Sequence, residues 1–394
     1  VTIEKYKTVK DKKNKKLESK KIVAVDCIEQ LGFRDAKNGI YRCKIIGSVD
    51  TLDKKIGKLN VLIIRPGGKS KYAQQMHEVL KKIDAPTTKY PMIVDCFFGG
   101  GAMTLKNIDN LKFDRYIVND LEPMIYKTML AVKKHYKKVM AIYTQVNNHY
   151  LSLMSDELKN YKKDENCTTR IDPKLKELRN ADRRYMDFYQ EIGNKLNNHA
   201  TMDIYTVAAY FIFFNQRSML GILERNLDET IKVKSGNSST SLNDKSKMIK
   251  YWAYILNYYN VEVQNRDVLE LLKDTTIPSQ SLIFSDGPYI SPKESKKVVD
   301  YGMDNSNEFQ FQLQSSLNRF ENLIYCNESC ENLFKLGLHN GLDGYIEFSR
   351  KNLMGQSKGS KSTAKEFMGY RRGRAISNAV NNTHYEATKE NIAA

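Results

Sequence analysis

The chain has 394 residues, 41% of them hydrophobic, enough for one large domain with an insertion or for two domains. Its formal net charge is +17, an excess that polyphosphate partners favour because each Lys or Arg placed on a phosphate releases counterions. No apolar stretch is long enough to span a bilayer and no signal-peptide pattern is present, which excludes a membrane-spanning reading and predicts a soluble, intracellular protein.

Residues 1–21 are dense in lysine, from Lys5 to Lys21, and read as a solvated arm able to touch phosphates; the start on Val1 in place of Met suggests trimming or processing. Short β-type runs over residues 22–64, such as Ile22-Val23-Ala24-Val25, predict a small N-terminal β element. From Val61 the texture is α/β. Apolar strands are predicted at Met92–Phe98, Tyr116–Val118, Val261–Val263, Leu282–Phe284, Leu323–Tyr325 and Tyr345–Phe348, with helical patterns between them. Such alternation predicts a mostly parallel sheet covered on both faces. Residues 132–258 break it with charged helical patterns (Leu151–Tyr161, Leu175–Leu196, Asp203–Asn215) and read as a helical insertion. The tail after Lys351 is basic and reads as a loop. The six cysteines are scattered, and the close pair Cys326 and Cys330 lacks the further ligands of a zinc site, so no metal is expected.

Two constellations carry chemistry. The first is Val94-Asp95-Cys96-Phe97-Phe98-Gly99-Gly100-Gly101, a strand running into a glycine-rich turn and then a helical pattern. Glycines there let the backbone approach a ligand closely. About twenty residues on, Asp120 ends a second strand, where a carboxylate accepts hydrogen bonds from ribose hydroxyls. The plain alternative is a tight turn followed by a helix cap at Asp120. Upstream, Arg65-Pro66-Gly67-Gly68-Lys69 lacks the spacing of a phosphate-binding Walker loop, but its glycines can bring Lys69 to a carboxylate or phosphate.

The second constellation is Asp286-Gly287-Pro288-Tyr289, after the apolar run Ser281–Ser285. An exocyclic amine on adenine is a poor nucleophile because its lone pair is delocalised into the ring. Hydrogen bonds to the Asp286 carboxylate and the Gly287 carbonyl would favour a geometry with the lone pair free, while Tyr289 stacks on the ring and Pro288 stiffens the turn. In duplex DNA that amine is reached only by flipping the base out. An ordinary Asp-Gly turn is the plain alternative.

Taken in order, these pieces resemble the Dam-like (D12 class, alpha group) DNA adenine-N6 methyltransferase family. The order is Gly67-Gly68-Lys69, Phe97-Phe98-Gly99-Gly100-Gly101, Asn119-Asp120, an insertion, and Asp286-Gly287-Pro288-Tyr289. Asn215-Gln216-Arg217 through Gly221 to Arg225-Asn226 is similar to a segment of the family's insertion. The resemblance covers roughly Val61 to Lys351. It implies a Rossmann-like seven-stranded methyltransferase sheet with a helical target-recognition insertion, S-adenosylmethionine as donor and double-stranded DNA as partner, in a cytoplasm of prokaryotic or phage type. The implied layout is a basic arm and β element at 1–60, a catalytic domain at 61–131 and 259–351, recognition helices at 132–258 and a tail at 352–394. The implied cofactor contacts are Arg65, Lys69, Phe97, Phe98, Gly99, Gly101, Asp120, Asp267 and Asp286. The implied catalytic set is Asp286 to Tyr289, and the DNA contacts are Asn215, Gln216, Arg217, Arg225 and Asn226.

The chain departs from the family pattern twice. Arg65 stands where an aromatic residue is usual, although a guanidinium plane also stacks. Gly287 replaces the first proline of the tetrapeptide and forfeits roughly 0.5 to 1 kcal/mol of backbone ordering. A weakened but competent site follows as the expectation, with Gly287→Pro raising the rate. Direct transfer, without a covalent enzyme intermediate, is expected because no cysteine lies in the motif. Two alternatives stay open: RNA adenine as substrate, and a DNA-binding protein that keeps a degenerate methyltransferase fold.

Overall fold

The computed structural model describes residues 61–64, 72–102, 104, 107–108, 111–161, 173–181, 183–218, 230–231, 244–290, 306–351 and 363–376. The N-terminal arm and β element, the Arg65–Lys69 turn, Arg225 and Asn226 lie outside these residues.

The strands β1 (Lys89–Asp95), β2 (Lys112–Asn119), β3 (Glu262–Gln264), β4 (Leu282–Ser285), β5 (Asn322–Glu328), β6 (Gly344–Lys351) and β7 (Thr363–Arg371) form one sheet. Their order is β3-β2-β1-β4-β5-β7-β6. Pairings among β1 to β5 are parallel, whereas β7 runs antiparallel between β5 and β6. This is a mixed seven-stranded sheet, as the family resemblance implied. Alternation along β1 explains its apolar run. Ile93 enters one core with Val118, Phe211 and Trp252, while Met92 and Val94 enter the other with Leu271 and Leu313. A parallel strand covered on both faces needs apolar residues at successive positions.

One expectation is corrected here. The tail after Lys351 is not all loop, because Thr363–Arg371 inserts into the sheet as β7. Its basic residues disguised it. Phe367 and Met368 are fully buried, and so is Arg371, whose guanidinium donates to the Leu317 and Phe320 carbonyls at 2.6 and 2.8 Å. Burial pushes that guanidinium down to about 10, against the opposing charge of Asp343.

The helices, in chain order, are α1 (Ala73–Lys82), α2 (Pro123–Ser152), α3 (Asp156–Asn160), α4 (Pro173–Ala181), α5 (Arg184–Leu196), α6 (Ile204–Arg217), α7 (Ser246–Tyr258), α8 (Val268–Lys273), α9 (Asn307–Leu317) and α10 (Glu331–Lys335). The pattern predicted as one helix over Leu175–Leu196 is two, α4 and α5. Helix α2 begins on Pro123, whose missing N–H costs nothing at a helix start, and bends at His135, where φ is −139°. Its 30 residues span about 45 Å. It therefore runs through residue 132, where the insertion was expected to begin. Helices α6 and α7 lie along it, and a single core joins them to the sheet.

Candidate active site

In such a sheet the order of adding strands reverses between β1 and β4, and ligands of open α/β sheets lie outside the strand ends at such a point. Both chemical constellations emerge there. Residues Asp95–Gly101 leave β1, and Asp286–Tyr289 leave the fully buried β4.

The tetrapeptide is held from outside. The Pro288 carbonyl accepts from Gln310 Nε2 of α9 at 2.8 Å, and the Ile290 N–H donates to Asn327 Oδ1 of β5 at 3.0 Å. Asn327 Nδ2 in turn donates to the Tyr325 hydroxyl and to Gln310 Oε1, at 2.5 and 3.2 Å. Gln310, Tyr325 and Asn327 are all buried, so this polar brace is fixed by packing. Gly287 itself presses on the glycine turn: a Cβ added to it would lie 2.8 Å from two ring carbons of Phe97. Proline at 287 would therefore do more than stiffen the backbone, because it would displace that ring.

At the glycine turn Gly99 and Gly101 take φ values of +52° and +65°, and Gly101 is packed under Phe98 and Trp252. Phe98, only 4% exposed, faces the core with its ring 5.9 Å from Trp252, whereas Phe97 is partly exposed toward Gly287. The two adjacent phenylalanines thus have different surroundings. Asp120 binds the turn to the end of β2: its Oδ2 accepts the Gly99 N–H at 2.6 Å and its Oδ1 the Glu122 N–H at 2.9 Å. Asp267, expected at the cofactor adenine, is an exposed residue whose Oδ1 caps α8 through the Leu269 and Glu270 N–H groups.

Asp95, like Asp120, is a buried acid of the site. Its Oδ2 accepts the Thr104 hydroxyl at 2.7 Å. Burial raises its carboxyl to about 7, and the charges of Asp286 and Asp120 push the same way, against the hydrogen bonds from Thr104 and the Phe97 N–H. Asp120 and Asp286 thus both act electrostatically on Asp95. Among the described residues, no group of three or more His, Cys, Asp or Glu side chains is arranged to hold a metal ion. Adjacent Cys96 is buried, and burial pushes its thiol well above the usual range, away from the nucleophilic thiolate.

Asn215, Gln216 and Arg217, expected on α6 as DNA contacts, are all buried. The Arg217 guanidinium lies over the rings of Tyr150 and Phe213 at 4.4 and 4.2 Å and donates to Asn147 Oδ1 at 2.7 Å. Gln216 Oε1 accepts the Tyr143 hydroxyl at 3.0 Å. Asn215 grips a single residue with both ends of its amide, accepting the Ile64 N–H at 2.7 Å and donating to the Ile64 carbonyl at 2.9 Å. Lys245, at the start of α7, donates from Nζ to the Val61 carbonyl at 3.0 Å. Residues 61–64 are thereby fastened over the glycine turn, close enough that a Cβ on Gly100 would meet the Ile63 carbonyl at 2.5 Å.

Sequence reasoning missed Gln310, Tyr325, Asn327 and Glu366. A polar Asn at the end of the apolar run Leu323–Cys326 was the one visible signal. Glu366 lies on the strand that was not expected, 1% exposed, with its Oε2 accepting the Tyr289 hydroxyl at 3.4 Å.

The family model described as D12 class N6 adenine-specific DNA methyltransferase matches residues 66–335, more than two thirds of the chain. No curated protein matches the chain significantly.

Proposed function

Because the chain belongs to the D12 class N6 adenine-specific DNA methyltransferase family, we propose that it transfers a methyl group from S-adenosylmethionine to the N6 amine of an adenine flipped out of double-stranded DNA. The observation that carries this reading is the meeting of the Asp95 turn and the Asp286 turn at the ends of β1 and β4.

The crevice fits the donor by charge. S-adenosylmethionine supplies an electrophilic methyl on a sulfonium and also bears an ammonium, and the described acids Asp95, Asp120 and Asp286 suit such a cation. Asp120 offers its remaining lone pairs to ribose hydroxyls, and Phe97 walls the crevice on the Gly287 side. Lys69 and Arg65 are proposed to complete the donor contacts.

On the acceptor side, Asp286 and the Gly287 carbonyl take the two amine hydrogens and turn the nitrogen lone pair toward the methyl. Bound S-adenosylmethionine would supply the methyl for in-line attack by the amine, the carbon–sulfur bonding pair remaining on sulfur, and the Asp286 carboxylate would accept the proton the methylated amine gives up. Tyr289 stacks on the flipped base. The brace through Gln310 and Asn327 holds the Pro288 and Ile290 backbone in place during the step. The chain's charge of +17 supports a nucleic-acid partner, and the insertion is proposed as the element that reads the target, through residues other than Asn215, Gln216 and Arg217.

The test is direct. The protein is incubated with duplex DNA or RNA and methyl-labelled S-adenosylmethionine, and the nucleic acid is digested to nucleosides. Labelled N6-methyldeoxyadenosine is expected. Label confined to RNA, or no label together with tight salt-sensitive DNA binding, would overturn the reading.

A further inference from the structure

The Tyr289 hydroxyl sits between two carboxylates, 3.0 Å from Asp286 Oδ1 and 3.4 Å from Glu366 Oε2. Burial, reinforced by the charges of those two acids, pushes the phenol well above its usual range, so it stays protonated and acts as a donor. Asp286 is also the group that must accept the hydrogen of an incoming amine. A tyrosine hydroxyl lodged there competes with the base for Asp286 Oδ1.

Glu366 provides a second seat. It lies on β7, opposite Glu328 of β5 and Phe348 of β6, at the end of the sheet where β1 and β4 deliver their loops. A carboxylate buried this deeply is tolerated only with hydrogen-bond donors around it, and the Tyr289 hydroxyl is one. Only a small reorientation of the phenol is needed to exchange one acceptor for the other.

We infer that Glu366 is a positioning residue for base methylation: it accepts the Tyr289 hydroxyl when the target base enters, and so leaves Asp286 to the amine. This rests on the adenine-methylation reading above. In this role Glu366 acts through Tyr289.

The experiment measures kcat on duplex DNA and S-adenosylmethionine affinity for Glu366→Ala and Glu366→Gln, each with Tyr289 intact and in the Tyr289→Phe background. With Tyr289 intact, Glu366→Ala should lower kcat about tenfold, the scale of one hydrogen bond to a charged group. Donor affinity should stay within about twofold, and Glu366→Gln, which keeps an acceptor oxygen, should recover most of the rate. In the Tyr289→Phe background the Ala substitution should change kcat less than about twofold, since no hydroxyl remains to be placed. Equal losses in both backgrounds, or a Gln variant as impaired as the Ala variant, would overturn the inference. If Glu366→Ala does not unfold cooperatively, Glu366→Asp takes its place, because the shorter carboxylate withdraws from Tyr289 while keeping its charge. Wild-type product separates the two claims. Without N6-methyldeoxyadenosine the functional reading fails, whereas product formed equally by wild type and Glu366→Ala defeats only the role of Glu366.

Discussion

Gly287 is held by its neighbours and not by a ring of its own. The Gln310 and Asn327 hydrogen bonds to Pro288 and Ile290, just after it, supply stiffness a proline would bring, and the Phe97 ring occupies the space a proline would need. Gly287→Pro is therefore expected to lower kcat/KM, the reverse of what the sequence suggests, and Phe97→Leu combined with it should recover part of the loss. Steady-state kinetics on the four combinations would show that coupling; independent effects would count against it. Asp95 leads to a prediction about pH. Its folded carboxyl is raised from 3.8 to about 7, so the folded state holds a proton that the unfolded chain releases. The stability this group contributes is complete below the unfolded value and is lost as pH rises toward 7. A cationic donor favours the ionised carboxylate, so donor affinity should rise as pH increases through about 7. Titration calorimetry across that range should give a flattened profile for Asp95→Asn.

Among the elements, β7 has the clearest experimental consequence. It lies between β5 and β6, so a chain ending at Lys351 would leave an interior gap in the sheet and expose the unpaired backbone of both neighbours. Such a truncation should abolish cooperative unfolding by circular dichroism, and a sharp transition at the wild-type temperature would refute this placement. The central strands were legible because their two-sided burial writes short apolar runs, as in Met92-Ile93-Val94 and Leu282-Ile283-Phe284. β7 was not, because Lys365, Gly369 and Arg371 break its run, and only the packed structure shows that Arg371 spends its donors on the carbonyls at the end of α9. The site was legible where backbone chemistry marks it, in the glycine turn and the Asp286 turn. The residues that brace it come from distant strands, and their roles emerge only from the fold.

For the whole molecule, charge must be sorted by where it lies. Of the excess of +17, Arg217, Lys245 and Arg371 are buried and unavailable to phosphates. Arg217→Ala should therefore leave the salt dependence of DNA affinity unchanged, whereas removing a true phosphate contact lowers the log–log slope by about 1. It should instead lower the melting temperature, because Asn147 loses its partner and a cavity opens beside Tyr150 and Phe213.

The grip of Asn215 on Ile64 has a practical consequence for engineering. Residues 132–258 are not an interchangeable cassette, since Asn215, Lys245 and Trp252 reach out to residues 61–64 and the glycine turn. A graft made to borrow another enzyme's target sequence would keep its seams inward of Ser218 and Asp244. Both anchors then remain native, and only the stretch between them changes hands.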